Sequence, residues 1–276
     1  EIGVRLVGSE MCIRDRNLPI DFRNGIDIMT TETTCLSSIW VTDEEVKHHY
    51  EIHERPQDYR ELKPGDVAYY DMMIRIDLSS QEAMIALPFH PSNAVTIHEL
   101  QADPVGILTR IEEDAKKRFG DKVDVHLLDK IVDGKVRADQ GIIAGCSGGT
   151  YDNLAEAASI IKGKSIGNDY FTASAYPQST PVSMAVTREG ITADLMEAGI
   201  TMKPAFCGPC FGAGDVPSNN GLSIRHTTRN FPNREGSKPG QGQLSLVALM
   251  DARSIAATAA NGGIITAATD VEYENT

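Results

Sequence analysis

Two cysteines stand three positions apart in Ala205-Phe206-Cys207-Gly208-Pro209-Cys210-Phe211-Gly212. The Gly-Pro pair between them favours a turn on which both thiolates face one small object. That object could be a metal ion, an iron–sulfur cluster or another sulfur, and a lone Cys-x-x-Cys does not choose among them. A third cysteine opens Cys146-Ser147-Gly148-Gly149-Thr150, between a short apolar run and a helical pattern. A thiol at a helix N-terminus is expected to ionise more readily, because exposed N–H groups and the helix dipole favour the thiolate. Gly148 and Gly149 let the backbone approach a bulky anion. Taken singly, a cysteine is more often a small buried hydrophobe. Three thiols without an evident fourth partner suit a metal centre with one open position, whereas a closed zinc site takes four protein ligands. His226, in an expected strand, is the one candidate for that fourth place.

Arg229 and Arg234 bracket a turn of Asn, Phe, Pro and Asn. Guanidinium forks match carboxylates bidentately, so the pair beside a metal site suggests a di- or tricarboxylate, although solvated loop arginines are commoner. Glu32 lies among Thr30, Thr31, Thr33 and Thr34. It reads as a surface carboxylate on composition alone, or as an acid in a polar pocket. His49 and His53 share a helix face and could bind zinc, but the flanking Glu of metalloproteases is missing, and a plain surface helix is the simpler reading.

Stepping outward, these groups need elements to hold them. Thr42-Asp43-Glu44-Glu45 is a capping box, predicting a helix from Thr42 to Arg55 that Pro56 stops. Alternation over Tyr70–Leu78 predicts a half-buried strand, and Ala83–Leu87 a second. Asp103-Pro104 starts a helix ended by Gly120. A short strand is expected over Val123–Leu128 and a tight turn at Asp133-Gly134. From Gly141 strand and helix alternate: strands at 141–145, 170–175, 202–206, 222–227 and 244–249; helices at 151–162, 179–189, 191–198 and 252–260. That alternation predicts an α/β fold with a mostly parallel sheet. Ligands bind such sheets beyond the strands' C-terminal ends, and Cys146, Cys207 and Cys210 all follow expected strands, so the three thiols belong on one rim.

The 276 residues carry a net charge of -13 and 41% hydrophobic residues, an ordinary globular balance. The acidity counts against nucleic-acid binding through bulk electrostatics. No apolar run approaches a membrane span, and no secretory signal is visible. Five scattered cysteines do not form a secreted disulfide framework, so a reducing, cytoplasmic setting is the expectation. Glu1–Arg16 resembles translated sequencing-adapter read-through, and is set aside with Cys12 as a non-native leader.

Together these residues resemble the aconitase family of iron–sulfur hydro-lyases. Cys207-Gly-Pro-Cys210 with Gly212 and Asp215 is similar to its paired-cysteine motif. Arg229-Asn-Phe-x-x-Arg234 is similar to its substrate-arginine motif, and Gly145-Cys146-Ser147 stands where its first cluster ligand belongs. Leu249–Gly263 resembles the helix that follows, Met29-Thr-Thr-Glu32 a segment with a catalytic glutamate, and Pro88-Phe89-His90-Pro91 the crossing into the third domain. The likeness covers nearly all of 17–270.

The resemblance implies aconitase-like three-layer α/β/α domains, with 17–92 closing a second domain and 93–276 forming a third that carries the cluster cysteines. It implies a [4Fe-4S] cluster on Cys146, Cys207 and Cys210, substrate carboxylates on Arg229 and Arg234, a catalytic Glu32, and a small carboxylic acid as substrate. It also implies an early Asp-x-His segment before Asn17 and a mobile swivel domain with a Ser base after Thr276, which would leave this stretch inactive alone. The family's Thr-Asn-Ser after its first cysteine is Ser147-Gly148-Gly149 here, and its asparagines are Ile28 and Thr228. These departures imply a divergent hydratase branch. Rivals are a cluster-dependent RNA-binding regulator of the same superfamily, a structural zinc protein and a thiol–disulfide protein.

Overall fold

A computed structural model describes residues 18–30, 38–120, 123–167, 170–232, 235–238 and 241–272. The chain divides into two compact units, Glu1–Gln81 and Glu82–Thr276, ahead of the boundary expected at 92/93. No helix among the described residues is long and apolar enough to cross a membrane.

In the first unit, α1 spans Ile20–Thr30 and α2 spans Glu44–Ile52. Helix α1 was not expected from the sequence. Helix α2 was, but its cap is Asp43 rather than Thr42: the Asp43 carboxylate accepts the Val46 N–H at 3.2 Å. The same carboxylate pairs at 2.7 Å with Arg23, which is 3% exposed and lies over the Trp40 ring. One Asp43 side chain thus ends one helix and ties down the other. The strand expected over Tyr70–Leu78 does not form. Its backbone is irregular up to a 3-10 turn at Leu78–Ser80, and Met72 and Ile76 stand 73% and 62% exposed. Alternation makes a strand only where a neighbour completes the ladder, and no strand is present among the described residues of this unit.

The second unit is built on a seven-stranded sheet in the order β2-β1-β9-β8-β5-β6-β7. Its strands are β1 (Met84–Ala86), β2 (Ala94–Thr96), β5 (Gln140–Ala144), β6 (Thr172–Tyr176), β7 (Thr201–Met202), β8 (Gly221–His226) and β9 (Ser245–Met250). From β9 through β7 the pairing is parallel, while β1 joins β2 and β9 antiparallel. A separate hairpin pairs β3 (Ile131–Val132) with β4 (Lys135–Val136) around Asp133-Gly134. The mixed α/β class with a mostly parallel sheet is the expected one.

Helices α3 (Ile97–Ala102), α4 (Pro104–Phe119), α5 (Gly145–Gly148), α6 (Tyr151–Ile161), α7 (Thr180–Arg188), α8 (Ile191–Glu197) and α9 (Ala252–Ala260) complete the unit. Their caps are written in the sequence: Asp103, Thr150, Ser179 and Asp251 each accept a backbone N–H of the first turn of α4, α6, α7 and α9. Val123–Leu128 is not a strand. The His126 and Leu128 amides donate to the side chains of Asn220 and Glu112 instead of to a ladder.

Strand alternation sorts the sheet into two faces. Ile85, Ile143, Ala173, Ala175, Leu222, Ile224, Leu246, Ala248 and Met250 join one buried apolar cluster with residues of α6 and α9. The opposite register carries Gln140, Ile142, Ala144, Ser174, Tyr176, Ser223 and Arg225. Residues two apart share a face, so a single strand such as β8 delivers leucine to the core and arginine to the other side.

Candidate functional site

The chain runs from β5 outward to β6 and β7, then returns past β5 to place β8 on its other side. The C-terminal ends of β5 and β8 therefore flank a topological switch point, where open α/β sheets leave a crevice. Cys146 lies just beyond β5, in α5. Its turn is wedged between neighbouring strand ends. A Cβ built on Gly148 would come within 2.1 Å of the His226 carbonyl oxygen, and one on Gly149 within 2.0 Å of that of Tyr176. Only glycine fits so close to another backbone. The turn's carbonyls are also held: Gln178 Nε2 donates to Cys146 O at 3.1 Å and Asn153 Nδ2 to Ser147 O at 3.1 Å.

The paired cysteines lie on a 3-10 turn, Gly208–Cys210, after β7. Gly212 is left-handed, and its Cα side meets the Gly236 backbone, where a Cβ would be 2.3 Å from the amide nitrogen. The loop ends at Asp215, whose carboxylate accepts the Tyr176 hydroxyl at 2.5 Å, and whose carbonyl accepts from Arg225 at 2.8 Å. Arg225 also donates to Pro209 O at 2.6 Å. The Cys207–Asp215 loop is thus fastened to β6 and β8 on the face opposite the apolar core. Tyr176 is driven well above the ordinary phenol range, first by burial and then by Asp215, so it stays a donor.

Cys146, Cys207 and Cys210 are all free thiols; Cys207 is exposed and the other two partly so. Cys146 does not have the lowered pKa expected of a helix N-terminus. Burial pushes it up, the nearby Cys207 adds to that, and the backbone N–H groups of Cys146 and Ser147 oppose without prevailing. Tyr176 borders both cysteine segments: its carbonyl packs against Gly149 of the turn after β5, and its hydroxyl donates to Asp215 at the end of the loop after β7. No group of three His, Cys, Asp or Glu among the described residues converges as it would on a single ion.

His226 is not available as a fourth ligand. Its Nδ1 accepts the Ala252 amide at 3.2 Å, at the start of α9. Burial favours the neutral ring over the opposing effect of Asp251. A neutral imidazole accepting at Nδ1 carries its proton on Nε2, so neither nitrogen offers a metal a lone pair.

Beyond β8 the chain turns through Thr227 and Thr228 to Arg229, which is partly exposed. The next residue pins this turn. Asn230 is 1% exposed and donates from Nδ2 to Leu87 O at 2.7 Å and Ala86 O at 3.2 Å, while its main-chain carbonyl accepts the Phe89 amide. Phe89 holds φ at 81°, a conformation a bulky residue adopts only when its surroundings impose it. The Arg229 turn and the Pro88–Pro91 segment are therefore one assembly, closed by the His90 and Phe231 rings at 5.9 Å. Glu32 and Arg234 lie outside the described residues. The His49 and His53 rings lie 4.3 Å apart, tilted at 42°, and line, with Arg23, Asp27 and Trp40, a 520 Å³ cleft of the first unit.

Arg225 and Asn230 escaped sequence reasoning. Arg225 is a polar residue alternating with apolar ones on β8 and Asn230 a turn residue, both types that usually face solvent, and only the tertiary fold buries them.

The most similar proteins include the 3-isopropylmalate dehydratase large subunit of Campylobacter hominis, 25% identical over 247 residues, covering 89% of this chain and 51% of that one. A second large subunit, from Rubrobacter xylanophilus, is 28% identical over 250 residues, covering 90% and 50%. The mitochondrial homoaconitase of Debaryomyces hansenii is 26% identical over 248 residues, covering 83% and 31%. The chain thus spans about half the length, or less, of these relatives. Residues 14–257 match the aconitase (aconitate hydratase) family, to which the chain belongs.

Proposed function

We propose that this chain is the cluster-bearing part of a hydro-lyase that reversibly removes water from, and adds it to, a hydroxy di- or tricarboxylic acid. The observation that carries this is that Tyr176, at the end of β6, borders both the Cys146 turn and the Cys207–Asp215 loop, at the switch point of a sheet in an aconitase-family chain. The relatives named dehydratase and homoaconitase favour the same reaction class.

The donor set fits a [4Fe-4S] cluster. Three free cysteines come from two strand ends, and thiolates are the usual cluster ligands. A four-iron cube receives its ligands at separate corners, so its thiols face a shared space rather than one point. Beside Cys146, the Ser147 hydroxyl is 1% exposed and meets no hydrogen-bond partner among the described residues. A buried hydroxyl of that kind can be satisfied by a group supplied from outside the chain. Cys146, Cys207 and Cys210 would hold the cluster. With three protein ligands for four irons, such a group would supply a Lewis acid for departure of the substrate hydroxyl.

The chain's own residues do the rest. Arg229 and Arg234 bind substrate carboxylates, and the Asn230 clamp fixes the direction from which Arg229 reaches. Glu32 assists at the substrate hydroxyl. Gly148 and Gly149 keep the cysteine turn close to the strand ends. A structural zinc site is disfavoured by the engagement of His226, and RNA regulation by the net charge of -13.

The test is anaerobic reconstitution with iron and sulfide, followed by absorption spectra, and by EPR spectra after one-electron reduction with dithionite, with and without added hydroxy di- and tricarboxylates. The expected result is iron and sulfide bound in near-equal amounts, with an EPR signal that a carboxylate perturbs. Unchanged cluster occupancy in Cys146→Ser would sink the three-ligand assignment. Bound zinc without iron after native purification would replace it by the zinc reading.

A further inference from the structure

Arg225 is 1% exposed, the largest of the fully buried side chains among the described residues. Putting a guanidinium there is costly unless every donor is used. Its donors are spread over four acceptors. Nε donates to Ser223 Oγ at 2.8 Å, one terminal nitrogen to Pro209 O at 2.6 Å, and the other to Asp215 O at 2.8 Å and Gln140 Oε1 at 3.2 Å. Ser223 and Gln140 belong to the sheet. Pro209 and Asp215 belong to the cysteine loop, the first between the two cysteines and the second at the loop's end. A planar fork with rigidly spaced N–H groups can hold both carbonyls at once, which a lysine cannot. Inside the loop the amides of Cys210, Phe211 and Ala213 bond back to Cys207 and Gly208 carbonyls. That internal turn is short and needs an outside support to persist. Burial pulls the guanidinium pKa down, and the charges of Glu235, Cys210 and Asp215 oppose that.

We propose that Arg225 is a positioning residue for the paired cysteines: it fixes the Cys207–Asp215 loop from the sheet and keeps a permanent positive charge behind the two thiolates. The second half rests on the cluster assignment above; the first does not. A cation held beside an anionic redox centre favours its reduced, more negative form, so loss of that cation lowers the reduction potential. Arg225→Lys keeps the charge and loses the fork. Arg225→Met keeps the stem and loses both.

The experiment compares the full chain with these two variants. In the iron-free proteins, amide hydrogen exchange is measured at Cys210, Phe211 and Ala213 and along β8 and β9. Both variants are expected to exchange roughly tenfold or more faster at the three loop amides, with β8 and β9 amides unchanged relative to one another. In the reconstituted proteins, Arg225→Met is expected to shift the cluster potential negative, and Arg225→Lys to restore most of it. Unchanged loop exchange in both variants overturns the positioning role. Equal potentials for Arg225→Met and the parent overturn the charge role. Should Arg225→Met not fold, the lysine variant still decides the loop claim. Should the parent take up no iron, the cluster reading and the charge role fall together, while the exchange measurement still judges the loop.

Discussion

Gly148 and Asn230 hold the rim of the sheet by contacts that tolerate almost no substitution. At Gly148 an added methyl would overlap the His226 carbonyl oxygen, a backbone atom that cannot swing aside. Gly148→Ala is therefore expected to destabilise the protein by about 2–4 kcal/mol, in line with other overpacked or strained buried positions. A thermal or urea melt checks this, and a melt unchanged from the parent would mean the turn after β5 is free to move. Asn230→Ala removes two hydrogen bonds and leaves the Ala86 and Leu87 carbonyls short of a donor, so a loss of about 2–3 kcal/mol is expected by the same melt. The thiols and arginines stand out as candidates in the sequence because their chemistry is rare and their spacing constrained. The residues that hold them do not. Arg225 and Asn230 are polar, and their burial depends on a loop and a strand far away along the chain.

Elements were legible where the signal is local. The caps Asp103, Thr150, Ser179 and Asp251 satisfy N–H groups within their own first turn, so sequence alone locates α4, α6, α7 and α9. Thr42 misled because its neighbour Asp43 is also a capping residue and gains a second partner in Arg23, a contact invisible along the chain. Strands depend on partners, and those expected at 70–78 and 123–128 failed for want of them. A different kind of link ties elements at the far edge of the sheet. His98 on α3 contacts Glu82 at 3.0 Å and Asp270 at 2.9 Å, which joins the entry to β1 and the last 3-10 turn, Ala268–Asp270. Hydrogen bonds to Asp270 and then to Glu82 raise the imidazole pKa above its usual value of 6.5. A group whose pKa is raised by folding stabilises the fold fully below its unfolded pKa, and that contribution fades as pH rises through the folded value. The tie should therefore hold in mildly acid solution, below the ordinary imidazole value of 6.5, and weaken as pH rises through the raised value. NMR titration of His98 is expected to give a midpoint above 6.5, lowered toward it in Asp270→Asn; an unshifted midpoint in the parent would show that the bridge does not persist in solution.

The whole molecule joins two units of unlike construction. In the second, a parallel sheet buries an apolar face under helices, and the same strands carry Gln140, Tyr176, Ser223 and Arg225 on the other face toward the cysteine loop. Stability and site are thus built from alternate residues of the same strands, so a working site presupposes a formed sheet. The first unit has two helices and then a long irregular stretch. Between Tyr59 and Asp77 the backbone lies in no helix or strand, and Val67, Tyr69, Met72, Met73 and Ile74 are each more than half exposed. Exposed backbone without ladder or helix bonds is what proteases cleave first. Limited digestion with a protease of broad specificity is expected to cut first within 59–77, giving a resistant fragment that starts near Glu82 and contains β1 to α9. Because its core is contained within residues 85–268, that fragment should keep a cooperative melt and the exchange protection of β5, β8 and β9. Mass spectrometry of the early products decides it. A first cut inside 140–260, or a fragment from near Glu82 that melts without cooperativity, would mean that the sheet depends on the preceding residues for its stability.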